Sequence, residues 1–385
     1  MSTTLLADAQ RYARANDPSF PLRPSQFSVV WGPGNPVDDP IDAESWYGEQ
    51  GVDVEAVHAV APGANVAFVA AQSDSDSDVV AALNFVIDDH LADIVSSSWS
   101  GIEFGMDVAT FQAFEPIAIQ AGLKGVSLFF AAGDSGDYSF LYGIPRTVAF
   151  PASLPEVTAV GGTTLVLARD NSRLFETGWE TGISLLEPAE YSGVWSPGCA
   201  AQVSIGPGAM WWPAAPGGYC FGSGGGISAV YAQPLYQVVT VPAALASAGG
   251  SLWRALPDVS MLGDPYTGLQ VGESVGGVYS ESPVGGSSLA TPLFAAAVSL
   301  AEQRRGKSFG FINPRLYASP RAFSDIVSLR PGQGMVNIVA GLQTSVSTFD
   351  YRGPENSLET APGFDDVTGL GTPAGEDFLS ELGRF

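Results

Sequence analysis

Two adjacent serines, Ser287 and Ser288, follow two glycines in the stretch VGGSSLATPLFAA (284–296). A serine held at a glycine-rich turn where a helix begins can be an exposed nucleophile, or it can cap a buried helix. A nucleophilic serine also requires a general base within hydrogen-bond reach that accepts its proton. The identity of that base therefore decides which chemistry this stretch can support.

Histidine is the usual base for a serine nucleophile, and the chain contains only His58 and His90. His58 lies in the helix-like segment VDVEAVHAVAPGA, and His90 directly precedes a strand-like segment. Neither has the glycine-flanked setting that is typical of an exposed catalytic imidazole. We expect both to be structural, and a histidine-based hydrolase that uses His58 is the less favoured alternative.

Carboxylates are the remaining candidates for the base. Glu49 and Asp53 are four residues apart in a helix-like segment that ends at APGA, so they share one helix face. Two partly desolvated carboxyls held close together cannot both ionise easily, which raises one pKa and allows the pair to relay a proton at acidic pH. The alternative is an ordinary solvated acidic face. Glu55 points away from the pair and is expected to be structural.

Asp134 is a third acidic candidate, in the segment FFAAGDSGDY at the end of a strongly apolar strand. A protonated carboxyl at such a turn can donate a hydrogen bond to a developing oxyanion. An Asx turn, in which the side chain caps its own backbone, is an equally good interpretation of the same residues.

Strand-like and helix-like segments alternate through the first part of the chain. The predicted strands are 64–71, 92–99, 126–136 and 157–165, and the predicted helices between them are 77–90 and 109–125. This rhythm predicts an α/β fold with a doubly wound, mostly parallel sheet flanked by helices, in which functional groups collect at the carboxyl ends of strands. Residues 170–255 are expected to form long surface loops around the site, so that 1–385 is a single domain.

The chain has 40 acidic and 16 basic residues, a net charge of −24. This balance argues against nucleic acid and against anionic membranes as partners, since both are bound by basic patches. A chain this acidic loses much of its self-repulsion near pH 4, which is compatible with an acidic environment. No apolar run is long enough to span a membrane, and the N-terminus lacks the pattern of a signal peptide.

Cys199 and Cys220 are the two cysteines, and both lie in a Gly/Pro/Trp-rich segment without clear helix or strand pattern. A disulfide between them would close this loop and stabilise the fold by about 3 kcal/mol. Two free thiols are the alternative, and no metal-binding or redox C-x-x-C pattern is present.

Taken together, these motifs resemble the sedolisins, a family of serine-carboxyl peptidases with a subtilisin-like fold in which a glutamate replaces the catalytic histidine. GGSSLATP (285–292) is similar to the nucleophile motif of the family, with serine in the place of its threonine. EQGVDVEAVHAVAPGA is similar to its E-x-x-x-D motif, and GDSG to its oxyanion turn. Further similar segments are SSSWSG (96–101), FPASLPEVTAVGGTTL (150–165), GSGGGISAVYAQPLYQ (222–237) and LPDVSMLGDPYTG (256–268).

The resemblance implies an acid-acting peptidase that cleaves polypeptides through an acyl-enzyme, either as an endopeptidase or as a tripeptidyl-peptidase. It implies Ser288 as nucleophile, Glu49 as base, Asp53 as its partner and Asp134 as oxyanion donor. The implied substrate-binding residues are Ser98, Trp99, Ser100 and Gly101. It also implies a secreted, monomeric protein.

The resemblance further implies one calcium ion in the loops within 323–373, where FSDI and APGFDDVTGLGTP are similar to the calcium site of the family. The implied ligands are the side chains of Asp325 and Asp365 and the backbone carbonyls of Ile326, Ala361 and Gly363. Such an all-oxygen shell suits calcium. Ala361 departs from the usual glycine of the family.

Family members carry an N-terminal prosegment and an opening strand of the catalytic domain, and this chain begins at what resembles the helix after that strand. We therefore expect an N-terminally incomplete catalytic domain with an exposed sheet edge or a hole in its packing. A catalytically inactive, truncated relative that serves as a binding or surface protein is the alternative function.

Overall fold

The computed structural model describes residues 2–34, 46–185, 218–327, 335–339, 344–348 and 357–384. The α-helices in these parts are α1 (Leu5–Asn16), α2 (Tyr47–Val60), α3 (Asp76–Asp88), α4 (Val108–Lys124), α5 (Ser139–Tyr142), α6 (Ala243–Ala246), α7 (Ser287–Arg305), α8 (Asn313–Tyr317) and α9 (Glu376–Leu382). No helix among these residues is long and apolar enough to cross a membrane.

Parallel strands form the centre of the fold, in two groups. In the first, β1 (Phe27–Trp31) pairs with β2 (Val66–Ala70). In the second, the order is β3, β5, β7 and β14, and the antiparallel strand β8 adds to β7. These strands span Ile94–Ser97 (β3), Ser127–Ala131 (β5), Thr158–Leu167 (β7), Arg173–Gly178 (β8) and Val259–Leu262 (β14).

Helices cover both faces of the second group, as the side chains of β5 illustrate. Leu128 and Phe130 pack into the cluster formed with α3 and α4, whereas Phe129 points to the opposite side and contacts the cluster around α7. All five residues of β5 are buried, which is the pattern of a parallel strand covered on both faces. The predicted doubly wound α/β fold is therefore confirmed.

The four strands and two helices predicted between residues 64 and 165 are observed as β2, β3, β5, β7, α3 and α4, whereas β1 was not predicted. The helix predicted at 109–125 is α4, and it ends at Gly125, whose φ of +82° places the C-cap in the left-handed region that glycine tolerates. The strand predicted at 126–136 is β5, and the turn that follows it contains Asp134.

The prediction of long loops for 170–255 was wrong for the described residues of this range, which largely pair into strands, whereas residues 186–217 lie outside the described part of the chain. Its turn-rich composition hid short antiparallel strands, whose alternation is easily lost among glycines. Besides β8, these are β9 (Glu180–Leu185), β10 (Gly218–Gly222), β11 (Gly226–Ala232), β12 (Ser247–Ala248) and β13 (Ser251–Leu256).

The remaining strands form small antiparallel pairs around the central layer. β15 (Leu269–Val275) and β16 (Val278–Val284) make a hairpin that leads directly into α7. The others are β4 (Gly101–Ile102) with β6 (Ala149–Phe150), β17 (Phe323–Ser324) with β20 (Thr372–Pro373), and β18 (Met335–Val339) with β19 (Thr344–Thr348), the last two extending the sheet of β9 and β10.

Candidate active site

Ser287 and Ser288 are the first two residues of α7, and the two glycines before them allow the chain to enter the helix there. Gly286 has a φ of +99°, and its N–H donates to the carbonyl of Gly263. A Cβ on Gly285 would lie only 2.4 Å from that same carbonyl oxygen, so the backbones approach as closely as glycine permits. This junction fixes where the start of α7 lies.

The two serines differ in their surroundings. Ser287 is buried, whereas Ser288 is half-exposed at the edge of a cavity. The N–H groups at the start of a helix have no intrahelical partner. No described residue accepts a hydrogen bond from the Ser288 N–H. Ser288 is therefore the serine whose hydroxyl can meet a ligand.

Ser287 holds Asp134 in place. Its N–H and its hydroxyl both donate to Oδ1 of Asp134, at 2.7 Å each, and the N–H of Gly133 donates to the Ser287 hydroxyl at 3.1 Å. Because Oδ1 already accepts two hydrogen bonds, a proton on this carboxyl belongs on Oδ2. That oxygen lies beside Gly286, where a Cβ would come within 3.0 Å of it.

Burial raises the pKa of Asp134, and the two hydrogen bonds from Ser287 oppose this effect without cancelling it. The carboxyl accepts these bonds from α7 rather than capping its own turn, so the Asx-turn interpretation does not describe the structure. Asp134 is thus a buried acid whose neutral form is favoured and whose free oxygen lies close to the start of α7.

Glu49 and Asp53 lie on one face of α2, as their spacing predicted. The hydroxyl of Ser98, just beyond β3, donates to Oδ1 of Asp53 at 2.8 Å and lies 3.2 Å from the carbonyl oxygen of Ser288. Oε1 of Glu49 is buried and has no hydrogen-bond partner among the described residues. Ser98 therefore connects the acidic face of α2 to the first turn of α7.

Both carboxyls of this pair are harder to ionise than usual. Burial is the largest cause for each and raises the pKa of Glu49 and, more strongly, that of Asp53. The charge of Glu49 adds to the effect on Asp53, and the charge of Asp134 adds to the effect on Glu49. Interactions of Glu49 with the Ser98 and Ser288 side chains act in the opposite direction. The pair can hold a proton at acidic pH.

A cavity of about 220 Å³ lies in front of the two serines, and its lining includes Ser98, Ser100, Gly101, Asp134, Ser287 and Ser288. Trp99, which was predicted to bind substrate together with its neighbours, does not line this cavity. Its ring stacks on Phe114, and its Nε1–H donates to the carbonyl of Asp74. Three of the four predicted substrate-binding residues thus surround the cavity, and Trp99 does not.

Neither histidine lines this cavity. His58 is buried on α2, and its Nε2 lies 2.8 Å from the carbonyl oxygen of Phe20. His90 is exposed at the end of α3, 3.3 Å from Asp93. Glu55 is fully buried and accepts the N–H of Gly272 at 2.8 Å, while burial raises its pKa to about 8. These three residues have structural surroundings, as expected.

The five residues implied as calcium ligands lie in two adjacent segments. The N–H of Gly363 donates to Oδ2 of Asp325, and the N–H of Ala361 donates to Oδ2 of Asp365, both at 3.0 Å. Asp365 is buried, and burial raises its pKa to about 7. The described residues contain no group of three or more His, Cys, Asp or Glu side chains that could hold a metal ion, so a cation here would also need backbone carbonyls.

Cys220 is disulfide-bonded, and Cys199, the other cysteine of the chain, lies outside the described residues. The loop that the predicted disulfide would close is likewise mostly outside them.

Two hydroxyls have contacts that the sequence did not predict. Ser287, to which the sequence analysis gave no role, is the first residue of α7 and donates to Asp134. Ser98 was predicted to bind substrate, and its hydroxyl also donates to Asp53. A small polar side chain gives no sequence signal of its own for such contacts, because its partners are up to 190 residues away.

Comparisons with known proteins give a family match and several relatives. Residues 42–320 match the model of the Subtilase family. Kumamolisin of Bacillus sp. (strain MN-32) is 30% identical over 361 residues, which is 92% of this chain and 54% of that protein. Tripeptidyl-peptidase 1 of Canis lupus familiaris is 28% identical over 295 residues, 72% of this chain and 40% of that protein. The chain thus spans about half the length of these relatives, or less.

A solved structure of Pseudomonas sedolisin, described as a serine-carboxyl proteinase in complex with two molecules of pseudo-iodotyrostatin, has the same fold. It superposes with a TM-score of 0.71 and 23% identity, over 100% of this chain and 90% of that one. The subtilisin-like architecture is therefore shown.

Replacing Ser287 tests its hold on Asp134. In Ser287→Ala the carboxylate loses a hydrogen bond that favours its charged form, so we predict a further rise in the pKa of Asp134. A ¹³C-NMR titration of labelled aspartate carboxyls measures this, with Ser287→Thr, which keeps the hydroxyl, as control. An unchanged Asp134 pKa in Ser287→Ala would contradict the contact.

Proposed function

Because the chain belongs to the subtilase family, and within that family to the sedolisins, we propose that it hydrolyses peptide bonds as an acid-acting serine-carboxyl peptidase. One observation carries the proposal: Ser288 lies at a cavity among buried carboxyls whose pKa values are all raised, and no histidine reaches it. The substrates we propose are polypeptides.

In the proposed reaction the hydroxyl of Ser288 attacks the scissile carbonyl carbon, and Glu49 accepts the hydroxyl proton. The buried, unpartnered Oε1 of Glu49 supports this role, because it is an acceptor that no other described group occupies. The charge of Glu49 helps to keep Asp53 protonated, and the hydroxyl of Ser98 donates to Asp53. Glu49 then returns the proton to the leaving amine, and water resolves the acyl-enzyme by the reverse route.

The oxyanion formed in this step needs donors that face the cavity. We assign this role to the free N–H of Ser288 and to a proton on Oδ2 of Asp134. The raised pKa of Asp134 supports the assignment, because the carboxyl must be neutral in order to donate. The same requirement makes the proposed enzyme one that works in acid, which is compatible with the acidic composition of the chain.

The mode of cleavage follows from how the cavity binds the substrate. Ser100 and Gly101 line the cavity beside Ser288, and Gly101 begins β4, which is already paired with β6. We propose that the substrate lies along this side, either within a longer chain or with its amino terminus three residues from the scissile bond. The second mode corresponds to the tripeptidyl-peptidase named among the relatives.

Substitution of the proposed machinery tests this function on a denatured protein substrate at acidic pH. Ser288→Ala and Glu49→Gln remove the nucleophile and the base, and we predict losses of about 10⁴-fold or more in kcat. Asp134→Ala removes one oxyanion donor and should cost about 10²–10³-fold.

The matched control is His58→Gln, which keeps a donor for the Phe20 carbonyl and should retain activity. Loss of activity in this variant alone would instead favour a histidine-based hydrolase. Absence of activity in the unsubstituted chain, with the fold intact, would favour the non-catalytic alternative.

We also propose one calcium ion between the segment at Asp325 and the loop from Ala361 to Asp365. Two acidic side chains and nearby backbone carbonyls provide the all-oxygen donors that calcium prefers, and Asp365 forms no ion pair with a described basic residue. When bound, the ion supplies positive charge that offsets the cost of burying Asp365. The hydrogen bond from the Gly363 N–H to the Asp325 carboxylate connects the two segments that would bind the ion.

Chelation tests the calcium proposal. Removing an ion that binds only the folded state lowers stability by about 2.7 kcal/mol if free calcium was at 100 times its Kd, so we predict a lower Tm in excess EDTA. Asp325→Asn should abolish this response, whereas Asp377→Asn, on the exposed start of α9, should keep it. A Tm that is insensitive to EDTA in the unsubstituted chain would contradict the site.

A further inference from the structure

The cavity in front of Ser288 contains a polar group that the proposed mechanism does not use, the hydroxyl of Tyr138. Tyr138 lines this cavity, yet only 5% of its surface is exposed. Its hydroxyl forms no hydrogen bond with a described residue. A buried hydroxyl without a partner is costly, because it has given up hydrogen bonds to water. A ligand in the cavity that supplies the partner removes this cost.

The backbone of Tyr138 has an unusual conformation. Its φ of +61° lies in the left-handed region, which residues other than glycine rarely adopt. The N–H of Tyr138 donates to the carbonyl of Ser135 at 3.0 Å, which closes the turn that contains Asp134. Backbone strain of this kind clusters at binding and active sites, where the surrounding structure enforces it. The conformation therefore supports a role of Tyr138 in the cavity.

The hydroxyl of Tyr138 lies close to the place where the proposed reaction occurs. The tyrosine side chain turns back onto Gly133, so that a Cβ on this glycine would clash with the hydroxyl. Gly133 directly precedes Asp134, and both line the cavity together with Ser288. The inference rests on the proposed function, which places the scissile carbonyl at Ser288 and its oxygen toward Asp134. The substrate residue that contributes this carbonyl, here called P1, therefore has its side chain within reach of Tyr138.

We propose that Tyr138 is a specificity-determining residue, whose hydroxyl hydrogen-bonds to an uncharged P1 side chain that ends in an oxygen, as in glutamine. Burial raises the pKa of Tyr138, and the charges of Asp134 and Tyr142 raise it further. The hydroxyl therefore stays protonated and donates to the substrate oxygen.

The groups that line the cavity disfavour ionised P1 side chains. No Lys, Arg or His is among the described residues that line it, so a buried carboxylate of the substrate would have no countercharge. Asp134 is the only acid among these residues, and the proposed reaction requires its carboxyl to be neutral. A lysine or arginine side chain of the substrate would therefore also lack a countercharge.

An apolar side chain of similar length fits the space but not the hydroxyl. Ile102 and Ala131 line the cavity, and so do the rings of Tyr138 and Tyr142, whose centroids are 5.8 Å apart. These groups accept the methylene stem of glutamine and of norleucine equally well. Only glutamine supplies an acceptor for the Tyr138 hydroxyl. A site with a buried polar group strongly rejects a substrate that leaves this group unpaired.

The test compares peptides of the form Ala-Ala-X-(para-nitrophenylalanine)-Ala-Ala-amide, in which X is glutamine, norleucine or lysine. The free amino terminus makes X the third residue, so both proposed modes of cleavage can use the bond after X, and mass spectrometry identifies that bond. We predict that kcat/KM at acidic pH is at least about tenfold higher for glutamine than for either of the others. A lysine peptide cleaved as fast as the glutamine peptide would contradict an uncharged pocket.

Tyr138→Phe removes only the hydroxyl, so it should bring the glutamine-to-norleucine ratio of kcat/KM close to one. The matched control is Tyr142→Phe, at the exposed tyrosine of the same cavity, and it should keep the ratio. A merely structural role of Tyr138 would lower kcat/KM for both peptides by the same factor. An unchanged ratio in Tyr138→Phe, or equal cleavage of both peptides by the unsubstituted chain, would overturn the proposal.

Binding to Ser288→Ala separates this proposal from the proposed function. The variant lacks the nucleophile, so isothermal titration calorimetry measures Kd without cleavage. The glutamine peptide should bind at least about tenfold more tightly than the norleucine peptide, and adding Tyr138→Phe should remove the difference. If the unsubstituted chain cleaves neither peptide while this difference is present, the proposed function fails and the role of Tyr138 stands. Equal Kd values, or no binding of either peptide, would overturn the role of Tyr138.

Discussion

The hydrogen bonds from Ser287 to Asp134 join the end of β5 to the start of α7, and the geometry of the site depends on this junction. They place Ser288 beside the acid that follows the central strand, and they leave Oδ2 of that acid without a bond from Ser287. Gly285 and Gly286 allow the approach, since a side chain on either would meet backbone or carboxyl atoms. The hydrogen bonds of Ser287 thus set the position of Ser288, the proposed nucleophile.

Desolvation gives the site its chemical character. Glu49, Asp53 and Asp134 are buried with hydroxyl and backbone donors, and no basic side chain forms an ion pair with them in the described part of the chain. A cation beside them would hold their pKa values low. Because no basic side chain among the described residues pairs with these carboxyls, they can keep or exchange protons under acidic conditions. The proposed mechanism uses this property.

The sequence allowed prediction of four strands, the helices between them and the acidic pair within the first 165 residues, because buried parallel strands and helix periodicity leave strong patterns, but it did not allow prediction of β1. The i, i+4 spacing of Glu49 and Asp53 was enough to place both on one face. The contacts of Ser98 and Ser287 could not be predicted, because a serine in a sequence does not indicate a hydrogen-bond partner that is distant along the chain. The strands within 170–255 were missed for a related reason: glycine-rich antiparallel pairs hide their alternation.

Buried carboxyls, rather than a histidine, carry the proposed catalysis, and the pH dependence of kcat/KM on a peptide substrate is the sharpest test of this mechanism. Asp134 must be protonated to donate, and burial raises its pKa, so we predict maximal kcat/KM in acid and a fall as pH rises through that pKa. A rate that instead rises through pH 6 to 8 and stays high would contradict catalysis by buried carboxyls.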